Sequence, residues 1–458
     1  MAGYDLTTGP VGAHLRRQAL PFSMGLVAIF SFEAIDLYFI SRLGDAELAA
    51  VSFALPVIWL VYGIGIGLEA GVASCVSRAV GAKEEERARR LATDSAVLGV
   101  LVATALLLIG TPLIEPTFRL LGAPDELLPL IRDYMEVWYF VAPLDMALWC
   151  TLASIRARGN SLLESKIIIA AAALNLVLDP IFIFGLVGFP RLGVAGAALA
   201  TIVATAVMLA FTLWHLGRRL GVLASPLAPL KTISGSWRHM LQIGIPAMAT
   251  NAIVPLSSAI VVSLIAAYGV DAVAGYGIAM RIEPMALVPF YALSAVSSPF
   301  FGQNIGGGHF DRLREARRIV TRFCVVFGLL LAAAASLAAP FITRWYTEDP
   351  AITEITTGYI WLVAWSWGAY GLVMSVNASF NGSGRPLPAV ALSTARVIGV
   401  LLPLIIIGRW LLGFWGIFAA ILVSNALLGV VAWWWLGRHI RDAEARFVPK
   451  SPEPIPGS

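Results

Sequence analysis

The sequence predicts an all-α membrane protein, with twelve transmembrane helices in two pseudo-symmetric six-helix bundles around a central cavity. Three observations carry that expectation. Of 458 residues, 59% are hydrophobic and only 13% charged, against about 25% charged in a soluble domain. The apolar residues also fall in long uninterrupted runs, and the chain repeats itself at an offset of 225 residues. So few charges cannot cover a globule of this size with solvated groups. A cytosolic enzyme, a nucleic-acid binder and a disordered scaffold are therefore excluded.

A helix crosses the hydrocarbon layer with about 20 apolar residues, and its backbone polar groups must be satisfied internally. Runs of that kind cover 18–41, 51–78, 92–114, 134–157, 165–187 and 193–217 in the first half. The second half supplies 240–266, 274–302, 319–341, 357–380, 388–408 and 414–437. Residues 1–17 form a polar tail; the apolar run behind it is too long for a signal-peptide core, so no cleavage is expected. The organisation is then an N-terminal lobe at 18–217, a linker at 218–239, a C-terminal lobe at 240–437 and a tail at 438–458. The stretch 115–133, with Pro116, Pro124 and Pro129, reads as a loop with room for a short surface helix. Cys75, Cys150 and Cys324 lie inside apolar runs without metal-ligand spacing, and read as small core residues rather than disulfide partners.

Lys and Arg concentrate on the cytoplasmic side of membrane proteins. If both termini face the cytoplasm, 25 of the 32 basic residues fall on that side, among them Arg78, Lys83, Arg156, Arg312, Arg396 and Lys450. Six fall on the other, and Arg281 lies within a span. That split predicts a multi-pass protein of the plasma (inner) membrane with both ends inside. The net charge of +4 has the same origin and does not point to nucleic acid.

The repeat superimposes 21–90 on 246–315, placing Pro21 on Pro246, Gly44 on Gly269, Gly81 on Gly306 and Arg89 on Arg314. Later the offset drifts, so that Pro180 meets Pro403 and Gly185 meets Gly408. Six helices per unit is an even number, so the two copies are related by an axis along the bilayer normal, as in rocker-type secondary transporters. The chain has no G-x-x-x-x-G-K-[ST] phosphate loop, which argues against ATP hydrolysis.

The words SRLGDAELAA (41–50), SRAVGAKEEERARR (77–90), RARGNSLLESK (156–166) and NLVLDPIFIFG (175–185) resemble those of the multidrug and toxic compound extrusion (MATE) transporters. So do GVAGAALAT (193–201), YGVDAVAGYGIAMRIE (268–283), PFFGQNIGGG (299–308), NGSGRPLPA (381–389) and LGFWGIFAAILVSN (412–425). The ordered set runs from Pro21 to about Arg438 and looks most like the branch with an acidic pair in the N-terminal lobe, the DinF-like one. The resemblance implies export of diverse organic compounds, often cationic, by alternating access in exchange for H⁺ or Na⁺. It implies no enzyme, no bound cofactor and no resident metal. The partners it implies are small organic substrates and the lipid bilayer, around a monomer.

Ionisable groups inside a span are functional candidates by default. Asp36 and Asp179 fall near the outer ends of the first and fifth spans, with Asn175 one turn from Asp179. Two carboxylates that repel one another can share a proton, and together with the amide oxygen they can also coordinate Na⁺. At the repeat offset their counterparts are Val261, Leu402 and Ile398, so an ion-coupling site belongs to the first lobe alone. Glu33, Glu69 and Asp145 read equally as wet-cavity lining or proton carriers, and Asp94 and Glu164, at cytoplasmic ends, as solvated or paired with nearby Arg. The family pattern adds Tyr134, Tyr139 and Thr201 to the first-lobe pocket. Glu283 is an acid of the eighth span; Arg281 faces elsewhere, and no carboxylate stands in the tenth span, where Asn377 is the nearest polar group. Pro21, Pro180 and Pro246 are candidate helix-bending positions.

Two other readings compete. An intramembrane aspartyl protease lacks its G-x-G-D setting here. A flippase for lipid-linked intermediates would line its cavity with several cations, whereas Arg281 alone is expected within a span. The topology is tested by single cysteines at Lys83 and Arg312 in a background lacking native cysteines. An impermeant maleimide should label both only from the cytoplasmic side; labelling of either from outside overturns the map.

Overall fold

The computed structural model describes residues 5–447, so Lys450 and the end of the C-terminal tail lie outside the described residues. The regular structure of these residues is all helical, and twelve helices are long and apolar enough to cross a membrane. They are α1 (Val11–Ser41), α2 (Asp45–Gly81), α3 (Glu85–Leu120), α4 (Leu128–Ala157), α5 (Ser161–Phe184) and α6 (Val194–Arg219). The second set is α7 (Leu230–Ala266), α8 (Val270–Gly306), α9 (Phe310–Arg344), α10 (Pro350–Gly382), α11 (Pro386–Leu412) and α12 (Trp415–Ala445).

Most helices outrun their apolar runs. Beyond the hydrocarbon, polar side chains are solvated while the backbone keeps its internal hydrogen bonds, so hydropathy sees only part of each helix. Thus α1 begins at Val11 within the expected tail, and α7 begins at Leu230 within the expected linker. The supposed loop at 115–133 is largely helical: α3 passes through a tight 3₁₀ turn at Thr111–Leu113, around Pro112, and runs on to Leu120. Pro21, Pro180 and Pro246 all sit inside helices, where each lacks the N–H of an i→i−4 hydrogen bond. The three cysteines are buried.

Each half has a main core. The first gathers Phe118, Ile131, Met135 and Trp138, the second Phe290, Trp367, Phe380 and Phe418. The starts of α1 and α7 cross over: Leu6, just before α1, packs with Val11 and Leu15 in the second half, and Met240 and Ile243 pack with Leu68 and Val72 of the first. The halves meet where α2 and α8 cross, and the repeat governs the contact. A Cβ on Gly81 would stand 2.0 Å from the Gln303 carbonyl oxygen, and one on Gly306 would stand 2.3 Å from that of Arg78. At the 225-residue offset Arg78 corresponds to Gln303 and Gly81 to Gly306, so the two contacts are images of each other across a pseudo-two-fold axis. Ser77 and its counterpart Gly302 touch on the axis itself. The following loops match too: Lys83 adopts φ 58°, where its counterpart Gly308 has φ 74°.

The hydrogen bonds joining the lobes cluster at this end, which also carries the start of α1 and the end of α12. Gln303 Nε2 donates to the Ala157 carbonyl at 2.7 Å, and Ser74 Oγ to that of Gly382 at 3.2 Å. The Leu6 N–H donates to Gln303 Oε1 at 3.0 Å, and Arg312 Nη1 to the Gly9 carbonyl at 2.6 Å. Farther along α2, Gly71 rests on Met240 and Gly67 on Met248 of α7. Beyond that level no hydrogen bond joins the lobes among the described residues, which leaves room for a cleft between them.

A side chain at the crossing must force the helices apart. Gly81→Val should cost about 1–3 kcal/mol by overpacking and lower the thermal unfolding midpoint in detergent. Gly63→Val is the control, since nothing lies within 4 Å of a Cβ there. Equal midpoints for the two variants would refute the crossing.

Candidate functional site

Helix α1 lies along α5, with Gly25 seated on Ser165. Asp36 stands five residues before the end of α1 at Ser41, and Asp179 five before the end of α5 at Phe184. Both helices run the same way, so the carboxylates lie at matching depth and within electrostatic reach of each other. Asp179 is fully buried and Asn175 is 4% exposed. The Asn175 amide bridges two neighbours. With its nitrogen toward Asp179 it donates at 2.8 and 3.0 Å, while its oxygen accepts from Thr201 Oγ1 at 2.9 Å. Asp36 Oδ1 is buried and has no hydrogen-bond partner among the described residues.

Other candidates gather round this pair to different degrees. Tyr134, buried on α4, lies within reach of both Asp36 and Asp179. Glu33 is half-buried one turn from Asp36 on α1. Asp145 Oδ1 accepts a 2.9 Å hydrogen bond from Thr205 of α6. Tyr139 does not join the group; its ring packs on Gly110 of α3. Tyr62 of α2, not singled out by the sequence, lies within reach of Glu33, Asp36, Tyr134 and Asp145. Its ring sits 5.0 Å from that of Trp149.

A second ionic group lies toward the termini-bearing end. Arg156, expected at a solvated helix end, is 4% exposed. Its guanidinium bonds Glu69 of α2 and Glu164 of α5 and lies 4.9 Å from the Phe22 ring centroid, beside Pro21. Asp94 is likewise buried and paired with Arg90. A buried arginine between two carboxylates ties α1, α2, α4 and α5 together, and it takes Glu69 out of the list of free carboxylates.

The second lobe has no copy of the acid pair, yet it is not apolar. Glu283 accepts a hydrogen bond from Tyr359 of α10 and lies within reach of Arg396. Arg396 stands ten residues into α11, in a π-helical stretch at Ala395–Leu401, and its guanidinium lies 4.8 Å from the Tyr370 ring centroid. It therefore belongs within a span, not to the cytoplasmic set. Counting loops by their flanking charge hid this, because the polar RPLPA turn before α11 drew Arg396 outward in the reading. Asn377 Nδ2 donates to Ser393 Oγ at 3.0 Å, away from Glu283's partners.

The MatE family profile matches twice, over residues 21–181 and 246–407, and the two matches begin 225 residues apart. This chain belongs to the MatE family. It is 32% identical over 442 residues to a FAD transporter of Shewanella oneidensis, covering 96% of this chain and 98% of that one. It is 26% identical to a probable multidrug resistance protein, YoeA, of Bacillus subtilis, covering 84% and 85%. The structure of the MATE transporter VcmN of Vibrio cholerae in the bent form superimposes with a TM-score of 0.90 at 30% identity, over 95% of this chain and 98% of that one. MatE proteins are multi-pass membrane transporters, not enzymes.

In this MatE chain the sequence signalled the acid pair but not Arg156, Arg396 or Tyr62. A lone Tyr in an apolar run reads as packing, and an Arg near a span end reads as solvated. Their partners come from helices far away in the chain. Removing Arg156 tests the inner cluster. Arg156→Met should destabilise the protein by about 3–5 kcal/mol, because two carboxylates lose their counter-charge. Adding Glu69→Gln and Glu164→Gln should recover most of that loss in a thermal melt; no recovery would mean the arginine acts by packing alone.

Proposed function

We propose that this chain is a secondary active exporter of organic compounds, often cationic, that exchanges them for protons by alternating access. Coupling rests on Asp36 and Asp179 in the first lobe, a reading in keeping with the acidic N-lobe branch of the family. Both termini face the cytoplasm, and the cleft opens outward.

The observation that carries the proton reading is the Asn175 bridge. With Asp179 ionised, the amide nitrogen faces the carboxylate at 2.8 and 3.0 Å. With Asp179 protonated, the amide turns over: the acid donates to the amide oxygen, and the amide nitrogen donates to Thr201 Oγ1 at 2.9 Å. Either state is reached by rotating the Asn175 amide alone, with Asp179 and Thr201 left in place. A sodium ion would need the Asn175 oxygen and both ionised carboxylates at once, in a setting where Asp179 has no exposure. Desolvation and mutual repulsion both penalise that second charge. Protonation of the pair then relieves the repulsion between the carboxylates of α1 and α5, and α1 bends near Pro21 to close the pocket and displace substrate.

The flippase reading draws some support from Arg396, a second cation within a span, but the acidic pair favours coupled export. The Shewanella oneidensis relative, named for FAD, supports flavin nucleotides as cargo beside organic cations.

Proteoliposomes loaded with ethidium, in Na⁺-free buffer, should release it along an imposed pH gradient and stop on addition of a protonophore. Asp36→Asn should fall to below about a tenth of that rate with normal membrane insertion, as loss of an essential proton carrier requires. A Na⁺ gradient at equal pH driving full release would replace the proton with sodium. Full activity of Asp36→Asn would transfer the coupling role to Glu283.

A further inference from the structure

Arg281 is used by none of the contacts described so far. It lies eleven residues into α8, about 16 Å from the helix start at a rise of 1.5 Å per residue. It is exposed and makes no hydrogen bond or ion pair among the described residues. An arginine at that depth does not face lipid without a severe cost, so its exposure means water.

The helix itself shows where that water is. Gly277, Arg281 and Met285 are exposed at i, i+4 and i+8, while Tyr276, Ala279 and Leu287 point into the second lobe's core. Met285 and Gln303 are eighteen residues apart, five turns at 3.6 residues per turn, with Pro289 and Pro299 between them, so periodicity puts them on the same side of α8. Gln303 is where α8 meets the first lobe, through the Ala157 carbonyl and Gly81. The Arg281 face is thus the face that looks across the cleft, above the level at which Gly67 and Met248 bring the lobes together.

The charges of the cleft are divided. The first lobe carries Glu33 and Asp36, with Asp179 fully buried behind them. The second-lobe wall carries Arg281, and its one nearby acid, Glu283, is already engaged by Tyr359 and faces Arg396. That wall therefore presents a guanidinium with its donors unspent. An arginine fork matches a phosphate or carboxylate, and in a partly dehydrated cleft such charge-assisted bonds are strong.

We propose that Arg281 is an anion-recognition residue of the cleft, which takes the phosphate of a phosphate-bearing organic substrate on the second-lobe wall. Organic cations bind on the opposite, acidic wall. This inference rests on the cleft being the transport path, and it is independent of the ion that drives transport.

The probes are FMN and riboflavin, which differ by one phosphate, with ethidium as the cation. Binding to the purified full-length chain in nanodiscs, read by flavin fluorescence, should favour FMN over riboflavin by at least about tenfold, as for a close charge pair. Arg281→Ala should abolish that preference, Arg281→Lys should keep part of it, and Arg42→Ala in the α1–α2 loop should leave it unchanged. In proteoliposomes, Arg281→Ala should lose FMN movement while ethidium release stays at the wild-type rate. No FMN preference in the wild type overturns the proposal. So does equal loss of FMN and ethidium transport in Arg281→Ala, which would make Arg281 a structural or gating residue. An intact FMN preference without any response to a pH gradient would support the anion site and remove the proton coupling instead.

Discussion

The molecule hinges on the place where α2 and α8 cross with no side chain between them. Gly81 lies on the Gln303 backbone, Gly306 on that of Arg78, and Gly302 on Ser77. Residues larger than glycine cannot occupy these points, so the sequence of each helix is fixed by the shape of its own image. One end of the cleft is closed by this contact and by the hydrogen bonds around it. Farther along α2, Gly71 and Gly67 rest on Met240 and Met248 of α7 instead. A rocking motion needs a contact of this kind, one that forms or breaks as a unit between two lobes.

Low dielectric sets the second constraint. A charge in the hydrocarbon region must be paired or must face water. Arg156, Glu69 and Glu164 satisfy the first condition, and they bind four helices of one lobe into a body that moves as a whole. Glu283, Tyr359 and Arg396 do the same in the other lobe. Among the groups left without a counter-charge are Asp36, whose Oδ1 has no partner, and Arg281, on opposite lobes. In the function proposed above, supporting charges are neutralised within one lobe, and working charges are not.

The repeat explains why the two walls differ. Gene-level duplication gives both lobes one helical frame, and the frame persists where backbones touch. Between those points the copies are free to diverge. At Asp36 the second lobe has Val261, which is buried, and its polar network is built instead on α8, α10 and the π-helical stretch of α11. That stretch lies just before Pro403, the counterpart of Pro180, so the same proline bend serves an acid in one lobe and a base in the other.

Twelve helices, the two-lobe plan and the acid pair were legible in the sequence because they depend on local quantities: apolar length, even helix number, and a carboxylate in a run that cannot solvate it. The i,i+4 spacing placed Asn175 beside Asp179 for the same reason. Helix ends were not legible, since a helix continues into the interface on its own hydrogen bonds after the apolar residues stop. Nor was the fate of each charge. Arg156 and Arg396 read as solvated because neighbours along the chain suggested it, and the family resemblance put Tyr139 in the pocket. Tertiary packing decided otherwise, by bringing Glu69 and Glu164 to Arg156, Tyr370 and Glu283 to Arg396, and Gly110 to Tyr139. Whether a charge is buried and paired or exposed and working depends on side chains dozens to hundreds of residues away, and only the folded chain brings them together.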